Sequence, residues 1–427
     1  GGEGQGKGAV MANVQSRKAK SATWIMLSMV LGVVAGVVGG EAMGQIQFVG
    51  DIFFRLVQMG IVPFVILAIV EAVGGLTARD LSGLGAKGIA WFAVSSVLAA
   101  AFGTLMAVAF EPGAGLASSD LVRNAAVDAE ATSSTWQDAL VGFFGSNVVA
   151  SMSAGSMVQC IVFAIALGLV ISFWRTGHNG ASAVYDFVCE LERLLLGVIR
   201  GVMKVAPVGI FCYVSSMVGS LGLEVLLPLA KYLLVLGGAV FAFLAAWTVL
   251  VCVRCRLDFT RLVRKMWPMS ALALGTISSA VTLPVEMDDA KHRIGIRSDI
   301  ADLLLPLGMP LNSNGAAIHL AVTAITIAQI YGVAFEGFDF VYLVVVFTLL
   351  SLANAVAPGA DLVSLTMIVP QLGLPLSSIG IFAGLTYPVG AIRTILNVDS
   401  DVYCALMVAA SEKDGIDRRV FNSEDRL

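Results

Sequence analysis

Apolar residues run along this chain in long blocks, at 22–43, 48–75, 88–110, 141–174, 185–219, 224–253, 299–331 and 378–410, with polar residues gathered between them. About 20 apolar residues in a helix cross a bilayer core, so the pattern predicts eight transmembrane helices. Two further apolar stretches, 258–293 and 337–376, are interrupted by Pro, Gly and Ser. Inside the seventh block lies Leu311-Asn312-Ser313-Asn314-Gly315-Ala316, a polar cluster that predicts a helix broken in its own middle. Backbone that is not helical at membrane depth is tolerated only inside protein or against water.

Composition agrees with this pattern. Of 427 residues, 58% are hydrophobic and only 13% charged, which excludes a soluble domain and predicts an all-α polytopic membrane protein. A net charge of −4 adds little, and no nucleic-acid partner is expected. Six Cys lie mostly within apolar runs, as packed thiols rather than a disulfide framework. Cys252 and Cys255 form a CxxC at a helix end with no second pair, and neither metal nor redox use is read from it. Residues 1–21 are Gly-rich and then basic and read as an N-terminal tail, and 412–427 read as a C-terminal tail. The absence of an Asn-x-Ser/Thr sequon fits a bacterial inner membrane.

Charge assigns the sides. Arg17, Lys18 and Lys20 precede the first block, and Arg79 and Lys87 separate the second from the third. Arg175, the cluster from Arg254 to Lys265, the group Lys291, Arg293 and Arg297, and finally Lys413, Arg418 and Arg419 continue the series. The alternate loops hold only Arg123. Lysine and arginine favour the cytoplasmic side, so both termini are expected there. The series closes only if 258–293 and 337–376 each enter and leave on one side, the first from the cytoplasm and the second from outside. Two re-entrant helical hairpins from opposite faces, around a broken helix, predict inverted repeats meeting at a midplane binding site. Two loops at the membrane surface would give the same hydropathy.

The tips carry candidate chemistry. The first reads Ser278-Ser279-Ala280-Val281-Thr282-Leu283-Pro284, and the second runs from Ser351 to Asp361 through Ala357-Pro358-Gly359. Helix N-termini there would offer N–H groups to an anion, and carbonyls of an unwound turn would offer oxygens to a hard cation such as sodium. In the last block Arg393, Asn397 and Asp401 recur every four residues on one helical face. Ionisable groups inside a span mark a substrate or ion route, and arginine suits bidentate capture of a carboxylate. Asn397 and Asp401, facing Asn312, would supply oxygens to sodium. The alternative is an internal Arg393–Asp401 interaction that only joins helices.

This block resembles the dicarboxylate/amino acid:cation symporter family, the glutamate transporter homologues. Gln58-Met-Gly-Ile-Val-Pro-Phe, Trp91-Phe-Ala-Val-Ser95-Ser96 and Val202-Met-Lys-Val-Ala-Pro-Val-Gly are similar to that family's second, third and fifth helices. The similarity covers about 22–411. It implies a homotrimer with a scaffold from 22–75 and 141–219. A transport domain from 88–110 and 224–410 would contain both hairpins and move as an elevator, gated by the second hairpin.

Carried over position by position, the resemblance places Gly308, Asn312, Asn397 and Asp401 at a central sodium site. Ser351, Leu352 and Asn354 fall at a second sodium site lined by carbonyls. Ser95, Ser96 and Asn314 fall at a third, where Asn314 replaces an acid. Arg393 would hold the distal carboxylate of a small anionic substrate, with Thr394, Asn397, Ser278, Ser279 and the tip Ala357, Pro358, Gly359 around it. The family's NMDGT is Asn312-Ser313-Asn314-Gly315-Ala316 here, so Ala316 replaces a threonine that contacts substrate. Gly390 stands where amino acid carriers have an aspartate for the substrate ammonium. A buried ammonium without a counter-charge is costly, which favours a C4-dicarboxylate over an amino acid. Asp361 is read either as a replacement ammonium partner or as a helix N-terminal acid. His319 is read as a proton relay or a polar helix contact. An anion channel remains a reading from another class, and the spans lack a catalytic spacing expected of an enzyme.

Overall fold

The computed structural model describes residues 24–423, except 25, 26, 29, 78, 79, 81, 115–136, 138–140, 222–225, 355–364, 367, 370, 371, 373, 375–377, 380, 381, 383 and 384. Among the described residues the chain is all-helical, with no strand beyond an isolated antiparallel bridge between Ile296 and Ile416. The tip residues Ala357, Pro358, Gly359 and Asp361 lie outside the described residues.

Helices α1 (Gln47–Gly74), α2 (Gly83–Phe110), α3 (Val148–Ser153), α4 (Met157–Gly177), α5 (Ala183–Met203), α6 (Ala206–Leu221) and α7 (Leu226–Cys255) make up the first part. The 3-10 helix Gly40–Ile46 joins the first two predicted blocks without a loop, giving one apolar helical run over Val30–Phe53. Block 141–174 is divided: α3 and α4 are separate, and Asn147 caps α3 by accepting from the N–H groups of Val149 and Ala150 at 2.9 and 3.2 Å. Block 185–219 is divided too, at Lys204–Val205, where Pro207 opens α6 without an N–H to bond backward.

The second part holds α8 (Phe259–Thr276), α9 (Ser279–Asp289), α10 (Ser298–Leu311), α11 (Asn314–Ile330), α12 (Asp339–Asn354), α13 (Thr386–Ala409) and the short α14 (Arg418–Asn422). Stretch 258–293 is a helical hairpin: α8 and α9 pack on each other, joined through Ile277, whose φ of 50° is left-handed. Asp258 caps α8 through its bond to Arg261 N at 2.7 Å. Among the described residues, five helical runs are long and apolar enough to cross a bilayer: Val30–Phe53, Gly83–Phe110, Met157–Gly177, Leu229–Cys255 and Ser298–Ile330. Large apolar side chains such as Val34, Leu105, Phe163, Val170 and Val253 face outward, as a lipid-facing surface would have them.

Two sets of helices pack around different centres. Helix α1 packs with α4, α5 and α6, while α11 packs with α2, α7, α12 and α13. Every residue of α11 except Gln329 is buried, so it is the central rod of its group. Close approach to α2 requires a small residue: a Cβ on Gly103 would sit 2.9 Å from the Ile318 backbone. The hairpin α8–α9 and helix α10 then pack on α13, which lies between them and α11.

Residues 412–423, the described part of the segment 412–427 read from the sequence as a C-terminal tail, fold back over the base of the hairpin. Arg297 N donates to Gly415 O at 3.0 Å, and Asp417 N to Gly295 O at 2.7 Å. Arg418 reaches the carbonyls of Arg256 and Cys255 at the end of α7, at 2.9 and 2.8 Å. Phe421 seals the arrangement and is only 2% exposed. Phe421→Ala is expected to destabilise the protein by about 3 kcal/mol, the lower end for a buried aromatic. A lowered thermal midpoint in detergent checks it; an unchanged midpoint would mean the segment is not part of the core.

Candidate functional site

The break in the seventh block is built by local sequence. Pro306 and Pro310 remove two N–H donors from α10, and the helix ends with Asn312 N bonded to Gly308 O at 2.7 Å. Asn312 and Ser313 are non-helical, and Asn314 starts α11. A helix N-terminus leaves N–H groups without intrahelical partners. One of them, Gly315 N, donates to Asn397 Oδ1 on α13 at 2.8 Å. Asn397 therefore caps α11 from another helix.

Asn312 spans the same gap. Its Nδ2 donates to Asp401 Oδ1 at 2.8 Å, and its Oδ1 accepts from Ser95 Oγ of α2 at 3.0 Å. Ser96 Oγ donates to Asn314 Oδ1 at 3.0 Å, with Ser95 Oγ at 3.4 Å from the same atom. Gly308 makes room for the Asp401 carboxylate, since a Cβ there would lie 2.6 Å from Asp401 Oδ1. Four helices thus meet at one buried polar junction, and Asp401, Asn312, Asn314, Ser95 and Ser96 are each at most 1% exposed. On α13, Asn397 and Asp401 both bond to residues at the break, and the Arg393 backbone carbonyl lies against Gly315. Arg393 and Thr394 are buried, and Thr394 Oγ1 bonds back to Gly390 O at 2.7 Å. Ala316 is buried beside them at the start of α11.

Other predicted residues lie apart from this junction or have local bonds only. Ser278 is the N-cap residue of α9 and Ser279 its first residue; both are half-buried, without a side-chain capping bond. Ser351 is buried on α12 and donates to Thr348 O of its own helix at 2.7 Å. Leu352 is half-buried one residue on, and Asn354 ends α12.

Residue types in this donor set suit a hard cation. Amide, hydroxyl and carboxylate oxygens converge there, and the sulfur beside them among the described residues is the buried Cys404 thiol, 3.7 Å from Ser95 Oγ. A carboxylate as buried as Asp401 needs a nearby positive charge or several donors to offset lost hydration, and Asn312 gives it one. Two buried carboxyls beside the junction carry no candidate role in the sequence. Asp399 is 5% exposed and accepts from Ser270 Oγ of α8 at 2.7 Å, tying the hairpin to α13. Glu286 of α9 is 1% exposed and lies within electrostatic reach of Asp401 and Asp399. A second carboxyl within the last apolar block was the available signal for Asp399; Glu286 follows the hairpin tip too closely for hydropathy to mark it.

A family model described as the sodium:dicarboxylate symporter family matches residues 22–411. The chain belongs to that family. It is thus a symporter of the dicarboxylate/glutamate family, whose members are transporters of the membrane. It is 30% identical to the proton/glutamate-aspartate symporter of Escherichia coli (strain K12), covering 85% of this chain and 84% of that one. The proton/sodium-glutamate symport protein of Bacillus caldotenax is 27% identical, over 93% of this chain and 95% of that one. The C4-dicarboxylate transport protein of Bacillus subtilis (strain 168) is 24% identical, over 91% and 93%.

The junction tolerates no added carbon at Gly315, where a Cβ would overlap the Arg393 carbonyl. Gly315→Ala is expected to lower stability by about 1–3 kcal/mol through backbone displacement. Gly238→Ala on α7, where a Cβ meets nothing within 4 Å, is the control and should leave the thermal midpoint unchanged or raise it. Equal midpoints for the two variants would contradict the tight α11–α13 contact.

Proposed function

We propose that this symporter couples sodium entry to uptake of a small anionic substrate, a C4-dicarboxylate, across a bacterial inner membrane with both termini cytoplasmic. The observation that carries the cation part is the Asn312–Asp401 pair, which joins the break between α10 and α11 to α13, with Ser95 bonded to Asn312 and Gly308 leaving room for the carboxylate. Sodium at Gly308, Asn312, Asn397 and Asp401 would take its place among oxygens already held at one junction. Ser351, Leu352 and Asn354 form a second cation site beside the gate, and Ser95, Ser96 and Asn314 a third. The sodium in the family's description and in the name of one relative supports this choice of ion.

The substrate part rests on α13. Arg393 binds the distal carboxylate, while Thr394, Asn397, Ser278 and Ser279 surround the rest of the substrate with Ala357, Pro358 and Gly359 of the gate. Gly390 presents no carboxylate to an ammonium group, which favours a substrate with two carboxylates and no amine. The separate packing of α1 with α4–α6 and of α11 with α2, α7 and α13 supports a scaffold and a transport domain. In this reading the eight spans and two re-entrant hairpins form inverted repeats, three chains assemble, and each transport domain travels as an elevator. Coupling follows if the outer gate closes stably only with ion and substrate both bound, or with neither.

A second reading is a sodium- or proton-coupled amino acid symporter, favoured by the glutamate and aspartate in the names of the more similar relatives. Asp361 would then supply the counter-charge that Gly390 lacks. Succinate, malate, aspartate and glutamate, each tested for thermal stabilisation with and without sodium, separate the two. Stabilisation by aspartate alone would overturn the dicarboxylate assignment. In proteoliposomes Asp401→Asn should weaken sodium dependence and Arg393→Ala should abolish succinate uptake. Unchanged sodium-driven accumulation in both variants would sink the mechanism.

A further inference from the structure

A buried side chain that the arrangement above leaves unused is His319. It lies on α11, one turn beyond Gly315 and three residues beyond Ala316, and is 1% exposed. Its Nδ1 is buried and has no hydrogen-bond partner among the described residues. Leaving a buried polar atom unsatisfied costs more than an ordinary hydrogen bond contributes, so such an atom at a transport site calls for a partner that comes and goes. Arg393 is a charged group within electrostatic reach of the ring.

Direction narrows the partner further. Helical side chains lean toward the helix N-terminus, so a residue covers the turn before its own Cα. For His319 that turn holds Gly315 and Ala316. Gly315 packs on the Arg393 carbonyl and donates to Asn397. The ring is therefore directed along α11 toward the part of α13 that carries Arg393, Thr394 and Asn397. Ala316 has no side chain beyond Cβ, and so leaves that approach without a hydroxyl of its own.

We infer that His319 is a substrate-binding residue, whose imidazole hydrogen-bonds the carboxylate that Arg393 holds. The imidazole would take over the polar contact that the side chain at Ala316 cannot make. A guanidinium fork and a ring nitrogen together can satisfy more lone pairs of one carboxylate than the fork alone. This deepens the proposed function and rests on it, since it presumes that an anion binds beside Arg393.

The test uses the full chain in detergent, with succinate as probe and thermal midpoint as readout, for the unaltered protein, His319→Leu and His319→Asn. In the leucine variant succinate affinity should fall on the order of 10- to 100-fold, the loss expected for a charge-assisted hydrogen bond. Its ligand-free midpoint should hold or rise, because no partner within the described fold is lost, and its sodium response should persist. Asparagine, which places an amide near the position of Nδ1, should recover part of the affinity and serves if the leucine variant fails to fold. Equal succinate affinity in all three proteins would overturn the inference while leaving the proposed function intact. A lower ligand-free midpoint with unaltered affinity would also overturn it and assign His319 to packing. No stabilisation of the unaltered protein by succinate would instead overturn the dicarboxylate reading, and the inference with it.

Discussion

A helix interrupted at membrane depth must find partners for the backbone groups it frees, because no water in the hydrocarbon core will take them. Here the interruption between α10 and α11 is closed by one neighbouring helix. Asn397 accepts from Gly315 N, and Asp401 accepts from Asn312, whose own oxygen is held by Ser95. Two residues one turn apart on α13 thus stabilise both sides of the gap. The positions of α2, α10, α11 and α13 follow from those few bonds together with the glycines that permit close contact. Gly308, Gly315 and Gly103 each lie where a methyl group would collide with a neighbouring helix.

The same bonds bear on the proposed cation site. Asp401, Asn312 and the hydroxyls of Ser95 and Ser96 are already ordered by one another, so binding would need little further ordering of side chains. The hairpin joins this network through Ser270 and Asp399, and through Glu286 near Asp401. Charge at the centre of α13 is therefore connected to α8 and α9 as well as to α10 and α11. An ion at Asp401 would change the electrostatics of both pairs of helices, the kind of linkage through which an ion biases a two-state element.

Much of the helical pattern was legible because lipid imposes long apolar runs on any helix that crosses it. The broken helix was legible for the opposite reason: Asn312, Ser313 and Asn314 are costly in an apolar run unless the backbone opens around them. The four-residue spacing of Arg393, Asn397 and Asp401 gave their common face, since 3.6 residues per turn leaves little choice. Hydropathy could not place breaks that keep the apolar character. Block 141–174 divides at Asn147 and Gly155, and 185–219 divides before Pro207, with valines and leucines continuing on both sides. It also read 412–427 as a tail, because a short polar segment tied down by backbone carbonyls, as 412–423 is here, looks the same as an exposed one. Glu286 and Asp399 escaped because their meeting depends on how α9 lies against α13, which no local pattern encodes.

Relatives within this family are named for different substrates. Members of the family include proteins named for glutamate, aspartate and C4-dicarboxylates, although this chain is similar to each over more than four-fifths of its length. If one site serves all of these substrates, as proposed, discrimination falls to the side chains that line it, and chemistry says which kind. A carboxylate common to all these substrates calls for one arginine, and Arg393 is present. An ammonium calls for a desolvated acid close by, because an unpaired charge in such a site is costly. Gly390 lacks one, while the proposed cation site would use the Asp401 carboxylate in either case. The cargo can therefore change without disturbing the bonds that hold the broken helix, since Arg393 and Gly390 lie one and two turns along α13 from Asn397, on the far side of it from Asp401.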